Sequence, residues 1–194
     1  MKSLWSESVS LKKYNALKGD ISINTVVIGG GIAGLLTAYK LKERGIDAAV
    51  IETERICNGQ TKNTTAKITS QHSIIYSKIL SGYGAKAAEE YARANQQAIS
   101  EYERIIQNKH IECGFERKNA VLYALESKKI IEKEYDAAKA AGIDCYMTNQ
   151  IELPFPVKSA LVFRNQAQFN PLAFLAAISE NLKIYENTKA VKIE

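Results

Sequence analysis

Val26, Val27 and Ile28 run directly into glycines at positions 29, 31 and 34, and few chain geometries accept that order of residues. A β-branched run of this length predicts a buried parallel strand, and the glycines fall at GxGxxG spacing. Gly29 permits a tight turn out of the strand, and Gly31 leaves room for a pyrophosphate to approach the backbone. Gly34 lets the following helix pack close to the sheet. That helix begins near Ile32, so the amides of Ile32 and Ala33 lie at its positive end and point at the phosphates. A second apolar run, Ala48 to Ile51, ends in Glu52, where a ribose needs an acceptor for its hydroxyls. A glycine turn with no ligand is the competing reading, but strand, turn, helix, strand and acid together supply the context that the motif requires. An acid in place of a basic residue favours a free 2′-hydroxyl, so NADP is disfavoured while FAD and NAD both stay open.

The 194 residues suffice for one large or two small domains, and 46% hydrophobic content is that of an ordinary globular protein. Net charge is +5, yet basic and acidic residues interleave in KLKERG and ESKKIIEKEYDAAK, as on solvated helix faces. Nucleic acid is therefore not an expected partner. Cys57, Cys113 and Cys145 are odd in number and widely spaced, which predicts reduced thiols and no disulfide frame. Cys57 reads as buried more readily than as reactive. With only His72 and His110 in the chain, no histidine-rich metal site is expected. The N-terminal stretch MKSLWSESVSLKKYNALKGD lacks a signal-peptide core, and no apolar run reaches membrane-spanning length, so a cytoplasmic protein away from membranes is expected.

Along the chain, residues 1 to 20 predict a partly helical arm with Trp5, Leu11, Tyr14 and Leu17 covering the first unit. Gly45 closes the helix after the glycine motif. Thr53 to Gln71 is polar and rich in Thr and Asn, where an NAD-type domain brings a second crossover helix and a third strand. A loop wrapping the pyrophosphate and ribityl part of a flavin, from Thr53 onward, fits better. Helices follow at Ile74 to Leu80 and Ala85 to Asn108, the second with a buried stripe through Ala88, Ala92, Asn95, Ile99, Tyr102 and Ile106. GFERKNAVLYAL predicts two strands around a turn at Lys118 and Asn119, Ser127 to Ala141 a helix, and Lys158 to Phe169 a strand. Asn170 with Pro171 starts a helix to about Leu182, and Lys183 to Tyr185 and Lys189 to Glu194 predict closing strands.

VVIGGGIAGLLTAYKLKERGIDAAVIE followed by NGQTKNTTAKIT resembles the amino-terminal part of FAD-dependent oxidoreductases of the D-amino-acid oxidase, or DAO, superfamily. SLWSES and GQTKNTTAKITSQH with IIYSKIL resemble a bacterial branch often fused to a carboxyl-terminal Rieske iron–sulfur domain. The resemblance implies FAD as cofactor, with Gly29, Gly31 and Gly34 on the pyrophosphate and Glu52 on the adenosine ribose. Gly59, Thr61, Thr64, Thr65 and Ala66 would follow the ribityl chain and ring, and Ala190, where a valine is usual, would meet the adenine through its backbone. Lys67 and His72 lie just beyond the ring-proximal loop by this analogy. Lys67 would stabilise a reduced, anionic flavin, and His72 would accept a proton or carry a covalent attachment, against a solvent-facing lysine and a hydrogen-bonded structural histidine.

The resulting expectation is an α/β fold of the FAD/NAD(P)-binding superfold: a Rossmann-like FAD-binding βαβ unit with an α+β portion of a substrate domain, incomplete. Residues 1–112 hold the arm, the βαβ unit and covering helices, 113–182 a partial substrate domain, and 183–194 strands returning to the first domain. Family members continue further, so the chain reads as an N-terminal fragment. It lacks the two Cys and two His in suitable spacing that a Rieske cluster needs, so that domain is expected elsewhere in the full-length protein. The expected activity is hydride transfer to flavin from an amine, an amino acid or a related small-molecule CH–X substrate. The alternatives are an NAD-linked dehydrogenase module and a non-catalytic nucleotide-binding domain.

Overall fold

After a short helix at Leu4–Ser8 (α1), Thr25–Ile28 (β1) and Ala48–Ile51 (β2) pair in parallel in the computed structural model, which describes residues 3–193. Helix Ile32–Glu43 (α2) makes the crossover between them, with Val27 opposite Val50 in the register. Gly45, at φ +73°, ends the helix by donating its amide to the Lys42 carbonyl. The third parallel strand comes from far along the chain, where Lys183–Tyr185 (β7) pairs with β2 to give the order β1-β2-β7. Ala49 and Val50 in the central β2 are fully buried. β1 differs from the doubly buried strand expected from its composition. It is an edge strand, and Val26 and Ile28, which share one face of the sheet, stand exposed while Thr25 and Val27 on the other face are half-buried.

The described residues divide into two compact units. The first comprises the described residues up to Ala66, Ile111–Cys113 and the chain from Asn170 onward. Helix Pro171–Ser179 (α5) belongs to it, packing on α2 and not in the substrate portion where 113–182 was expected. Its start follows the predicted logic: the Asn170 side chain accepts the Leu172 and Ala173 amides at 3.1 Å, with Pro171 in the first turn. The expected closing strand at Lys189 to Glu194 does not form over residues 189–193, and Glu194 lies outside the described residues. Val191 is 86% exposed, with no ladder partner among the described residues to hold it extended.

The second unit comprises Lys67–His110 and Gly114–Phe169. Its elements are Lys67–Ile68 (β3), Tyr76–Asn108 (α3), Glu116–Ala124 (β4), Lys129–Ala140 (α4), Cys145–Thr148 (β5) and Ser159–Gln168 (β6). The central β6 pairs antiparallel with β3, β4 and β5. One face of this sheet carries α3 and α4 over a core that includes Tyr76, Ala92, Ile131, Leu161 and Phe163. The two helices expected at 74–80 and 85–108 are the two halves of α3, broken at Gly84 with φ +84°. The stripe through Ala88, Ala92, Ile99 and Ile106 is buried as predicted, and the helix belongs to this unit. The hairpin expected at Lys118 and Asn119 is a single strand, β4, whose register shifts between Lys118 and Ala120: the polar KN pair is a bulge and not a turn. Strand β5 has only four residues and no flanking turn signal strong enough to show in the sequence. No described helix is long and apolar enough to cross a membrane.

Candidate functional site

The glycine turn and the start of α2 are held by sterics that only glycine satisfies. Gly29 has φ +103°, and a Cβ on Gly34 would lie 1.9 Å from the Gly29 carbonyl oxygen. Gly31 is the N-cap of α2 and supplies no side-chain cap. Leu35 N–H is bonded to the Gly31 carbonyl, so the amides of residues 32 to 34 precede the regular ladder. Ile32 N–H donates to the Thr61 hydroxyl at 3.1 Å, and that hydroxyl keeps its own proton to offer an anion.

Glu52 turns back onto this loop. Its Oε2 accepts the Gly30 amide at 2.7 Å and its Oε1 accepts the Glu54 amide at 2.9 Å. The remaining lone pairs of the carboxylate can still accept hydroxyl protons. A cleft of ≈ 380 Å³ lies at this place, lined by Gly31, Ile32, Ala33, Glu52, Gly59 and Thr61 among others. Gly59 and Thr61 reach it on a 3-10 turn at Gln60–Asn63. Cys57 also lines the cleft, in a left-handed conformation at φ +60°. Burial first, then the Glu186 and Glu52 carboxylates, push its thiol up to about 12, which makes it a poor nucleophile. Cys113 and Cys145 are likewise buried and outside any disulfide.

The other predicted positions fall in several places. Thr53 is exposed and does not line the cleft. The Thr64 hydroxyl accepts the Ala66 amide at 3.3 Å, Ala66 is buried at φ +61°, and Thr65 is exposed. Ala190 is half-buried, in a segment without strand pairing. Lys67 and His72 belong to the second unit. Lys67 is an exposed residue of β3, opposite Gln168. His72 is exposed, and its Nδ1 lies 2.6 Å from the Tyr91 hydroxyl. Burial raises the Tyr91 phenol above its ordinary range. Three residues that the motif reading passes over shape the cleft: Gly30, Ile56 and Glu186. A Cβ on Gly30 would stand 2.7 Å from Ile56 Cγ2, so the middle glycine of GGG is constrained as well. The tripled glycine was the one available signal for it; Glu186 had none.

Residues 24–194 match the family described as FAD dependent oxidoreductase, DAO. The chain belongs to the DAO family. The DAO chain is 36% identical over 197 residues to YhfW of Bacillus subtilis (strain 168), whose name includes Rieske 2Fe-2S iron-sulfur protein; the match covers 98% of the chain and 39% of YhfW. It is 25% identical over 140 residues to gamma-glutamylputrescine oxidoreductase of Escherichia coli (strain K12), covering 72% of the chain and 32% of that protein. Among solved structures, L-amino acid deaminase from Proteus myxofaciens in complex with anthranilate aligns with TM-score 0.68 and 17% identity, covering 96% of the chain and 42% of the deaminase. That likeness carries the fold: the DAO chain is an α/β FAD-binding architecture. The DAO chain thus spans about two fifths or less of the length of the curated relatives it matches. Of the two cofactors that Glu52 leaves open, FAD is the one the family's description names.

Proposed function

We propose that this chain is the FAD-binding part of an oxidoreductase acting on an amine, an amino acid or a related CH–X substrate. The carrying observation is the Glu52 carboxylate bonded to the Gly30 amide beside the free end of α2, a cradle that added Cβ atoms would fill. Donors and acceptor suit a diphosphate next to a ribose with free hydroxyls. The names of gamma-glutamylputrescine oxidoreductase and L-amino acid deaminase support the substrate class. The name of YhfW supports a Rieske iron–sulfur domain in the full-length protein. Buried cysteines outside any disulfide support a reducing, cytoplasmic location.

When bound, FAD supplies the hydride acceptor for a carbon next to nitrogen. The chain's own residues do the rest. Amides of Ala33 and Gly34 would hold the pyrophosphate beside Gly29 and Gly31, while Ile32 acts through Thr61, whose hydroxyl accepts the Ile32 amide and would donate its own proton to a phosphate oxygen. Glu52 accepts from the adenosine ribose. Thr53, Gly59, Thr64, Thr65 and Ala66 follow the cofactor toward the ring, and the backbone of Ala190 meets the adenine. Lys67 supplies a positive charge, and His72 accepts a proton at Nε2 while Tyr91 orients the ring through Nδ1. We propose the two units as cofactor and partial substrate portions, the chain returning to the first from Asn170 onward and not only in residues 183–194.

Titrating the purified chain with FAD and following flavin fluorescence tests the binding half: saturable one-to-one quenching is expected, and none in a folded protein overturns it. Anaerobic bleaching of the flavin in the full-length protein by amine donors tests the chemistry. There H72A and K67A should each lower kcat by about 100-fold with little change in KM.

A further inference from the structure

Glu186 follows β7 and is 1% exposed, yet its carboxylate touches three residues from two separate segments of the first unit. Oε1 accepts the Ile56 amide at 2.9 Å, Oε2 accepts the Tyr14 amide at 3.0 Å, and Arg55 Nε donates at 3.1 Å. Two of these partners, Arg55 and Ile56, lie in the loop that leaves Glu52. Tyr14 lies in the middle of the N-terminal arm. The contacts are reinforced on both sides. Arg55 Nη2 reaches the carbonyls of Leu11 and Lys12 at 3.4 Å, and Leu17 N–H donates to the Thr188 hydroxyl at 3.0 Å. Thr188 N–H in turn holds the Glu52 carbonyl at 2.8 Å, and Asn187 N–H holds the Glu54 carbonyl at 2.9 Å.

Beyond Ile56 the linkage runs directly to the glycine turn. The Ile56 side chain packs where a Cβ on Gly30 would stand, and Cys57 N–H donates to the Gly30 carbonyl at 2.9 Å. The Gly30 peptide is therefore held from its carbonyl side by the 56–57 loop and from its amide side by Glu52. A buried carboxylate is retained only when its lone pairs are met by donors, and here every donor comes from a segment that frames the cleft or from the arm.

Resting on the FAD reading above, we infer that Glu186 is a positioning residue for nucleotide binding, and that it makes the N-terminal arm around Tyr14 a strap whose docking and FAD binding favour each other. Glu186 does not line the cleft; it acts by setting the 54–57 loop against Gly30. Because coupling between two sites is reciprocal, FAD must tighten the arm by the same factor by which the arm tightens FAD.

Flavin-fluorescence titration of wild type, E186A, E186Q and Y14P with FAD tests this, together with tryptic cleavage after Lys12 and Lys13 with and without FAD. E186A should raise the FAD Kd about tenfold or more, since it removes several charge-assisted bonds. E186Q should recover part of the loss, because its carbonyl oxygen still accepts from Ile56. Y14P removes the arm's backbone donor to Glu186 together with the hydroxyl bond to Ser179, leaves Glu186 itself in place, and should raise Kd several-fold. FAD should slow cleavage after Lys12 in wild type and not in Y14P, where proline makes the bond after Lys13 resistant to trypsin; a merely structural role of Glu186 does not produce that dependence. If E186A does not fold, Y14P carries both readouts. The inference alone is overturned if wild type binds FAD and the variants match it within twofold, or if FAD leaves arm cleavage in wild type unchanged. If folded wild type binds no FAD, the FAD reading falls and this inference with it.

Discussion

Glu52 Oε2 accepts the Gly30 amide at 2.7 Å, so the acid at the end of β2 and the turn at the end of β1 form one unit. The two strands are hydrogen-bonded neighbours, and their C-terminal ends therefore arrive side by side. Parallel pairing puts a ligand crevice at that edge of a sheet. Replacing Glu52 by alanine removes an anchor of the turn and the ribose acceptor together. With about 1.5–3 kcal/mol for hydrogen bonds to a charged group, E52A should raise the FAD Kd by roughly 10- to 150-fold. Flavin-fluorescence titration measures this, and a change under threefold would contradict the assignment.

Two glycines of the cleft should respond in opposite ways. G34A drives a methyl group to 1.9 Å from the Gly29 carbonyl oxygen, which α2 can relieve only by leaving the sheet. A loss of about 3 kcal/mol is expected, at the upper end of overpacking costs. Gly59 has φ −83° and open space around its Cβ position, so G59A should leave the urea midpoint unchanged. Equilibrium unfolding of the two variants side by side decides the matter.

In the second unit, Glu134 of α4 is fully buried and receives the first amides of α3: Ile75 and Tyr76 at Oε1, and Ser77 at Oε2, all at 2.8–2.9 Å. It serves as the N-terminal cap that α3 lacks in its own sequence. E134A leaves three donors unmet, two of them buried, and should cost about 3 kcal/mol, with E134Q intermediate. Unfolding in urea monitored by circular dichroism gives both values.

Alkaline pH should weaken the fold through Cys57. Its thiol is raised from 9.0 to about 12, so the protonated form is favoured in the folded state. Below about pH 9 the contribution is fully present. Between there and about pH 12 the unfolded chain releases its proton first, and stability falls as pH rises. C57S should therefore lose less stability than wild type between pH 8 and pH 11, measured as the shift in urea midpoint. Ellman's reagent should find no reactive thiol in native protein at pH 8 and three after denaturation, since all three cysteines are buried.

Local signals carried the first unit well. The β-branched run, the glycine spacing and the acid each act within a few residues, so their geometry could be read before any tertiary contact was known. Asn170 with Pro171 was equally legible, because a helix cap is satisfied by the next three amides. The KN pair in β4 misled for the converse reason. A polar pair between apolar runs is the same in a bulge and a turn, and only the pairing of Ala120 with Phe163 across β6 distinguishes them. Placement of α3 and α5 was not legible either, since an apolar stripe states that a helix is buried but not against what.

By itself, then, the sequence determined the strand–turn–helix–strand order of the βαβ unit and the helix periods, which rest on interactions between near neighbours in the chain. The tertiary structure alone decided that the third strand of the cofactor sheet comes from residues 183–185, and that Glu186 gathers the arm and the 55–56 loop. Those partners lie more than a hundred residues apart in sequence, as Glu186 and Ile56 do. No local pattern encodes such a meeting, because it is set by which buried polar groups remain to be satisfied once the sheet has closed.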